Sequence, residues 1–108
     1  MSLEEFAEQL ETLGYDVAKD EFPKEYDAQY PYIVYEVAGT NNFAADNVVY
    51  QKILNIAVSI YTANRPDEEA MQMLELLFEE LELVWDKVEE LDHQQYDYEV
   101  LYSVEIYV

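Results

Sequence analysis

Apolar residues recur along this chain with two different periods, and the switches between them outline the fold. Leu3, Phe6, Ala7, Leu10 and Leu13 repeat at helical spacing, and Ser2 with Glu5 three positions later forms a capping box at the start. Gly14 supplies the left-handed residue that ends this helix. Tyr15 to Lys19 reads as a short strand, and Asp20 to Pro31 as a polar connection with a proline near each end. Tyr32 to Val37 is β-branched and aromatic, with Ile33, Tyr35 and Val37 on one face. From about Val48 to Tyr61, Leu54, Ile56, Val58 and Ile60 alternate with Asn55, Ala57, Ser59 and Tyr61, the pattern of a strand buried on one side.

The period then returns to 3.6. Pro66 near the first turn and three acids after it start a second helix, whose stripe is Ala70, Met73, Leu74, Leu77, Phe78 and Leu81. Residues 83–90 fit two readings. Val84, Trp85 and Val88 prolong the stripe, or the segment is a strand with Val84 and Val88 on one side and Trp85 and Lys87 on the other. Tyr96, Tyr98, Val100, Tyr102, Val104, Ile106 and Val108 occupy every second position, so the chain ends in a long strand. If 84–90 is also a strand, Leu91 to Gln95 connects a C-terminal hairpin. The expectation is one α+β domain over 1–108 in the order α-β-β-β-α-β-β. Its largely antiparallel or mixed sheet has about five strands, and both helices pack on one face. The other face, with Asn55, Ala57, Ser59, Tyr61, Leu101, Ser103 and Tyr107, is too apolar to meet only water and too polar for a second core.

One stretch breaks the pattern. Val37 to Tyr50, VAGTNNFAADNVVY, is longer than the connection of about two to five residues that a plain hairpin needs. It reads as a long polar loop with Phe43 in its middle. Gly39, Asn41 and Asn42 tolerate left-handed backbone there. Phe43 either projects as an apolar anchor or folds back into its own core.

Composition narrows the function. Five Lys/Arg against 25 Asp/Glu leave a net charge of −20, a surface that repels duplex DNA and anionic lipid and favours basic partners and divalent cations. The plainer account of the acids is that they solvate the outer faces of helices. No cysteine is present, which removes disulfides, thiolate metal sites and a cysteine nucleophile. The N-terminal residues lack the basic and apolar regions of a secretory signal, and no apolar run reaches a membrane span. The single histidine, His93, falls in a turn beside Asp92 and reads as a solvated residue; Ser59 and Ser103 are mid-strand, without a nucleophile elbow. Glycine stands only at 14 and 39, so there is no phosphate-cradling loop and no calcium loop. No catalytic, cofactor or metal residue is assigned, and the chain is expected to be non-enzymatic, with weak cation binding by its acids left open. Eleven tyrosines suit either an interface or simply a tyrosine-rich sheet.

The run YPYIVYEVAGTNNFAADNVVYQKILNIAVSIYT, Tyr30 to Thr62, is followed by an acidic helix and then VWDKVEELDHQQYDYEVLYSVEIYV. Together they resemble small virion proteins of long-tailed phages and prophages of Gram-positive bacteria, described as minor capsid, tail-completion or tail-terminator proteins. The resemblance extends to YDVAKDEF near the start, and its most specific parts are NNFAADNVVY and the closing alternation of aromatic and acidic residues. The acidic bias is stronger than the family suggests, and LDHQQYD is looser than its hairpin turn.

The resemblance implies a strand at 83–90, no cofactor, and a homo-oligomeric ring, often a hexamer, that meets the tail tube and the head connector. It implies assembly in the host cytoplasm and a place in the virion. Each subunit of such a ring needs a projecting element and a face to receive it. Gly39, Asn41, Asn42, Phe43, Asp46, Asn47, Tyr61 and Tyr107 are the candidate contacts. A strongly acidic ring lets passing DNA slide without specific binding, so most of the eleven acids from Asp67 to Asp92 should face a channel or open solvent. The alternative function is an acidic inhibitor or DNA mimic that occupies the basic groove of a nucleic-acid enzyme.

Overall fold

The computed structural model describes residues 1–45, 48–63, 65–93 and 97–108, and the side chains of all these except 41–45, 48–51 and 89. It is an α+β fold with the expected element order: α1 (Leu3–Glu11), β1 (Asp16–Lys19), β2 (Tyr32–Ala45), β3 (Val48–Thr62), α2 (Glu68–Glu80), β4 (Val84–Asp92) and β5 (Tyr98–Tyr107). The five strands form one mixed sheet in the order β1-β2-β3-β5-β4, parallel only between β1 and β2. No helix among the described residues is long and apolar enough to cross a membrane.

Register places the alternating residues of three strands in common rows. Ile33, Ile60 and Val100 stand opposite one another, as do Tyr35, Val58 and Tyr102. Ile56 and Val104 form the next row, with Trp85 of β4 beyond, and Leu54 pairs with Ile106. Both helices close over these rows: Phe6 and Leu10 of α1 and Leu74 and Phe78 of α2 are fully buried. Phe78 lies at the centre, stacked on Phe6 at 6.4 Å and edge-on to Tyr102 at 5.9 Å. Tyr102 is buried without a lost hydrogen bond because its hydroxyl donates to Glu75 Oε2 at 2.7 Å, and Lys87 Nζ lies 3.9 Å from the same oxygen. The stripe of α2 is wider than expected. Met71 is buried as well, while Met73 is only half-buried and accepts from the Tyr15 hydroxyl.

The capping box forms as the sequence indicates, Ser2 Oγ accepting from Glu5 N and Glu5 Oε1 accepting from Ser2 N. At α2 the cap is Asp67, which accepts from Ala70 N, so Pro66 stands before the cap instead of inside the first turn. The end of α2 removes the ambiguity over 83–90. Leu81 is the C-cap, Glu82 turns left-handed at φ 56°, and Leu83 N donates to Phe78 O while Glu82 N donates to Glu79 O. That pair of bonds is a Schellman motif, which stops the helix and lets β4 begin at Val84. Glutamate in place of glycine hides this stop from the sequence.

The described part of the stretch from Val37 to Tyr50 is strand. β2 continues to Ala45 and β3 begins at Val48, paired from Tyr32–Tyr61 to Ala45–Val48 with two interruptions. Gly39 is extended, not left-handed, and Asn41 and Asn42 pair with Ile53 and Lys52. The run from Ala38 to Ala45 is poor in strand formers, but once Val37 and Ile56 are paired the ladder continues to satisfy backbone groups on both strands. Register shifts occur after Val37 and after Phe43, the marks of β-bulges. Val37, expected in the core, is 38% exposed: β1 ends at Lys19 opposite Tyr35, and no strand among the described residues flanks β2 on that side beyond it.

β5 reaches only to Tyr107, opposite Ile53. Val108 N still donates to Lys52 O, so residues 42–45 and 48–51 leave the sheet as a two-stranded arm, about 14 Å long at the usual rise per residue. The radius of gyration, 14.8 Å, exceeds the roughly 13 Å of a compact chain of this length.

The left-handed conformation at Glu82 costs a side-chain-bearing residue about 1 kcal/mol. Glu82→Gly should raise the stability measured by urea unfolding, by about 0.5 kcal/mol after allowance for the freer unfolded chain. A loss of stability would contradict the Schellman assignment.

Candidate interaction surfaces

The helices cover one face of the sheet and leave the other open. Its rows run Tyr32–Tyr61–Glu99–Leu91, then Val34–Ser59–Leu101, then Glu36–Ala57–Ser103–Asp86, then Asn55–Glu105–Val84. Small, apolar and charged side chains alternate across it. Val84 is more than half exposed on the edge strand.

One end of this face is covered by the connection between β1 and β2. Parallel strands need a crossover, and the segment 20–31 makes it across the open face. Its aromatic residues hold it there. Phe22 stacks on Tyr26 at 5.3 Å and meets Tyr32 edge-on at 5.4 Å, Tyr30 stacks on Tyr32 at 5.4 Å, and Tyr32 stacks on Tyr61 at 5.1 Å. Asp16 pins the crossover to β1, accepting from Gln29 N at 3.0 Å and from the Tyr26 hydroxyl at 2.8 Å. The Gln29 bond first, and the tyrosine bond second, hold the Asp16 carboxyl below its ordinary value.

Next to this corner Glu99 is only 13% exposed at its side chain. Ser59 Oγ donates to its Oε2 at 2.7 Å, and His93 Nε2 lies 3.0 Å from its Oε1. Burial, followed by the charge of Glu99, pushes the Tyr61 phenol upward, and burial followed by the charge of Asp97 pushes Tyr32 up to about 12. The bond to Glu99 is the main reason that His93 titrates above its ordinary 6.5. Serine, carboxylate and histidine thus meet, but the carboxylate stands between the other two. Histidine does not touch the serine hydroxyl and is not placed to activate it. His93 is exposed, as its turn position suggests, yet it is bound to Glu99, a partner brought close only by the pairing of Leu91 with Glu99.

The candidate contacts fall in separate places. Gly39 is at the root of the arm, where a Cβ would meet Asn55 Nδ2 at 4.0 Å. Asn41, Asn42 and Phe43 follow on β2, the last two within the arm, their side chains outside the described residues. Asp46 and Asn47, assigned as contacts, also lie outside the described residues. Tyr61 is half-buried in the aromatic corner, whereas Tyr107 is exposed at the other end of the face, about 26 Å away at strand rise. They do not form one site.

Of the acids from Asp67 to Asp92, Glu68, Glu69, Glu79, Glu80, Glu82, Asp86, Glu90 and Asp92 are exposed. Asp67 and Glu75 are half-buried, and the side chain of Glu89 lies outside the described residues. With Glu4, Glu5, Glu8 and Glu11 on α1, the outer surface of the helix layer is anionic, and neither helix carries a basic residue. Among the described residues no three His, Asp or Glu side chains converge as a metal-binding group. No protein-family model matches the chain, and no curated protein is significantly similar to it.

Two pH effects follow from the corner. A histidine whose folded value is raised contributes stability in full below its unfolded 6.5, and this is lost as pH rises through the folded value. Nuclear magnetic resonance titration of His93 should give a midpoint above 6.5 that falls in Glu99→Gln; a midpoint at or below 6.5 in the parent chain would contradict the pairing. For tyrosine the same sign applies around 10. The Tyr32 contribution is complete below pH 10 and is lost as pH climbs towards about 12, so phenolate absorbance should rise in two phases, the later one accompanying unfolding. A single phase near pH 10 would overturn it.

Proposed function

We propose that this chain is a structural virion protein of a long-tailed phage or prophage. In this reading it is one subunit of a homo-oligomeric ring that terminates the tail or joins tail to head. The observation that carries the reading is a projecting two-stranded arm on the same molecule as an uncovered sheet face. An arm that leaves the body buries little in its own chain, and a mixed face of this kind suits a polar, reversible contact. Placed head to tail around a closed axis, each arm reaches the open face of its neighbour, a heterologous contact that closes into a ring. Of NNFAADNVVY, the run most specific to the family resemblance, residues 42–45 and 48–50 belong to the two strands of this arm. The acidic helix layer then faces the channel or solvent, where it holds DNA off by repulsion. The tail tube and the head connector are the partners. The chain works without catalysis, assembling in the host cytoplasm and ending in the virion.

The competing reading, a DNA mimic, is favoured by one observation: the anionic helix layer without a basic residue. Mass measurement separates the two. Native mass spectrometry of the chain mixed with tail-tube and connector proteins should show complexes holding several copies. Replacing residues 42–52 by Asn-Gly closes the hairpin between the paired Asn41 and Ile53, and this variant should fold as a monomer and enter no such complex. If the parent chain stays monomeric beside both partners yet binds a basic nuclease tightly, the ring reading is wrong.

A further inference from the structure

Between the crossover segment and the open face lies a groove of about 570 Å³, lined by Phe22, Tyr26, Tyr30, Tyr32 and Tyr61. Asp20, Glu21 and Asp27 stand on its walls against one cation, Lys24. Tyr26 is 50% exposed and Tyr30 48% exposed, although each ring is already stacked on another. About half of each residue's surface is thus left to solvent, and both share the groove with these carboxylates.

We propose that this groove is a docking site for an arginine side chain on a segment of another protein. The chemistry selects that occupant. Aromatic faces carry negative charge density and attract a cation placed over them, and nearby carboxylates add to the field. Guanidinium suits the site better than ammonium, because it stacks flat on a ring, is weakly hydrated and offers a planar fork to a carboxylate. Phosphate is excluded by the acids, which rules against nucleic acid. A second copy is a poor source. The chain holds a single arginine, Arg65, which lines the adjoining cavity with Tyr30 and Pro31, so in each copy it stands beside its own aromatic corner and is not carried on a separate segment. The crossover is preorganised by Asp16 through Gln29 and Tyr26, so binding requires little ordering. The site is distinct from the arm and does not depend on the ring.

The test is a chemical-shift titration of the tyrosine ring resonances with a blocked Gly-Arg-Gly-Arg-Gly peptide and with its citrulline counterpart, which has the same shape without charge. The arginine peptide should bind saturably and move Tyr26 and Tyr30, and the citrulline peptide should not. Tyr26→Ala and Tyr30→Ala should each raise Kd about threefold, and the double variant about tenfold. Tyr30→Phe, which keeps the ring and leaves the Asp16 bonds to Gln29 and Tyr26 in place, should bind more tightly than Tyr30→Ala. Both tyrosines are half exposed, so their truncation leaves the core intact. Two variants measure general attraction to a highly acidic protein: Tyr107→Ala at the far end of the face and Glu79→Gln/Glu80→Gln on the helix layer. Both should leave Kd unchanged. Absence of binding, equal binding of citrulline, or equal weakening by the Glu79/Glu80 variant would each overturn the proposal.

Discussion

The register of β3 against β2 and β5 is the constraint from which the remaining features follow. With Ile60 opposite Ile33 and Val100, and Val58 opposite Tyr35 and Tyr102, every apolar row falls under the helices. A slip by one residue would exchange Ile56, Val58 and Ile60 for Ala57, Ser59 and Tyr61, and α2 would have nothing on which to seat Phe78. The same register sets the opposite face. It brings Tyr61 beside Tyr32 and Ser59 within reach of Glu99, and it leaves β3 longer than β5, so that only β2 can pair with the rest. Core, aromatic corner and arm are three consequences of one alignment.

Most of the core was legible because it depends on periodicity. Leu54 to Ile60 and Val100 to Ile106 alternate without interruption, and Phe6, Leu10, Leu74 and Phe78 keep helical spacing. Signals tied to particular side chains were also readable, as with Ser2 and Glu5. What escaped depends on partners distant in sequence. The outgoing run from Ala38 to Ala45 is mostly Ala, Gly and Asn, residues that strands disfavour, and it becomes strand because β3 lies alongside. The helix stop at Glu82 had no glycine to mark it. His93 and Glu99 meet through the β4–β5 register, which no local pattern encodes. Tyr61 and Tyr107, chosen together because they share a face, lie at its two ends. A face assigned from alternation carries no information about distance along the strand.

The uneven charge gives the molecule two chemical sides. The helix layer presents carboxylates with no counter-charge on either helix, while the open face mixes hydroxyl, amide, aromatic and aliphatic groups with single acids. Mutual repulsion among the helix acids weakens the compact state, and screening by salt relieves it. A sequence selected for stability alone would not maintain that imbalance. Under the proposed function it keeps one side away from DNA while the other side and the arm make contacts.

The absence of cysteine offers a direct examination of which side is used. Ser103→Cys places a thiol on the exposed middle of the open face, and Glu80→Cys places one on the helix layer. Alkylation of each should be measured in the isolated chain and in the assembled particle. The account predicts that both react freely in the isolated chain and that only Cys at 103 becomes protected on assembly. Protection of the thiol at 80 with continued reaction at 103 would contradict it.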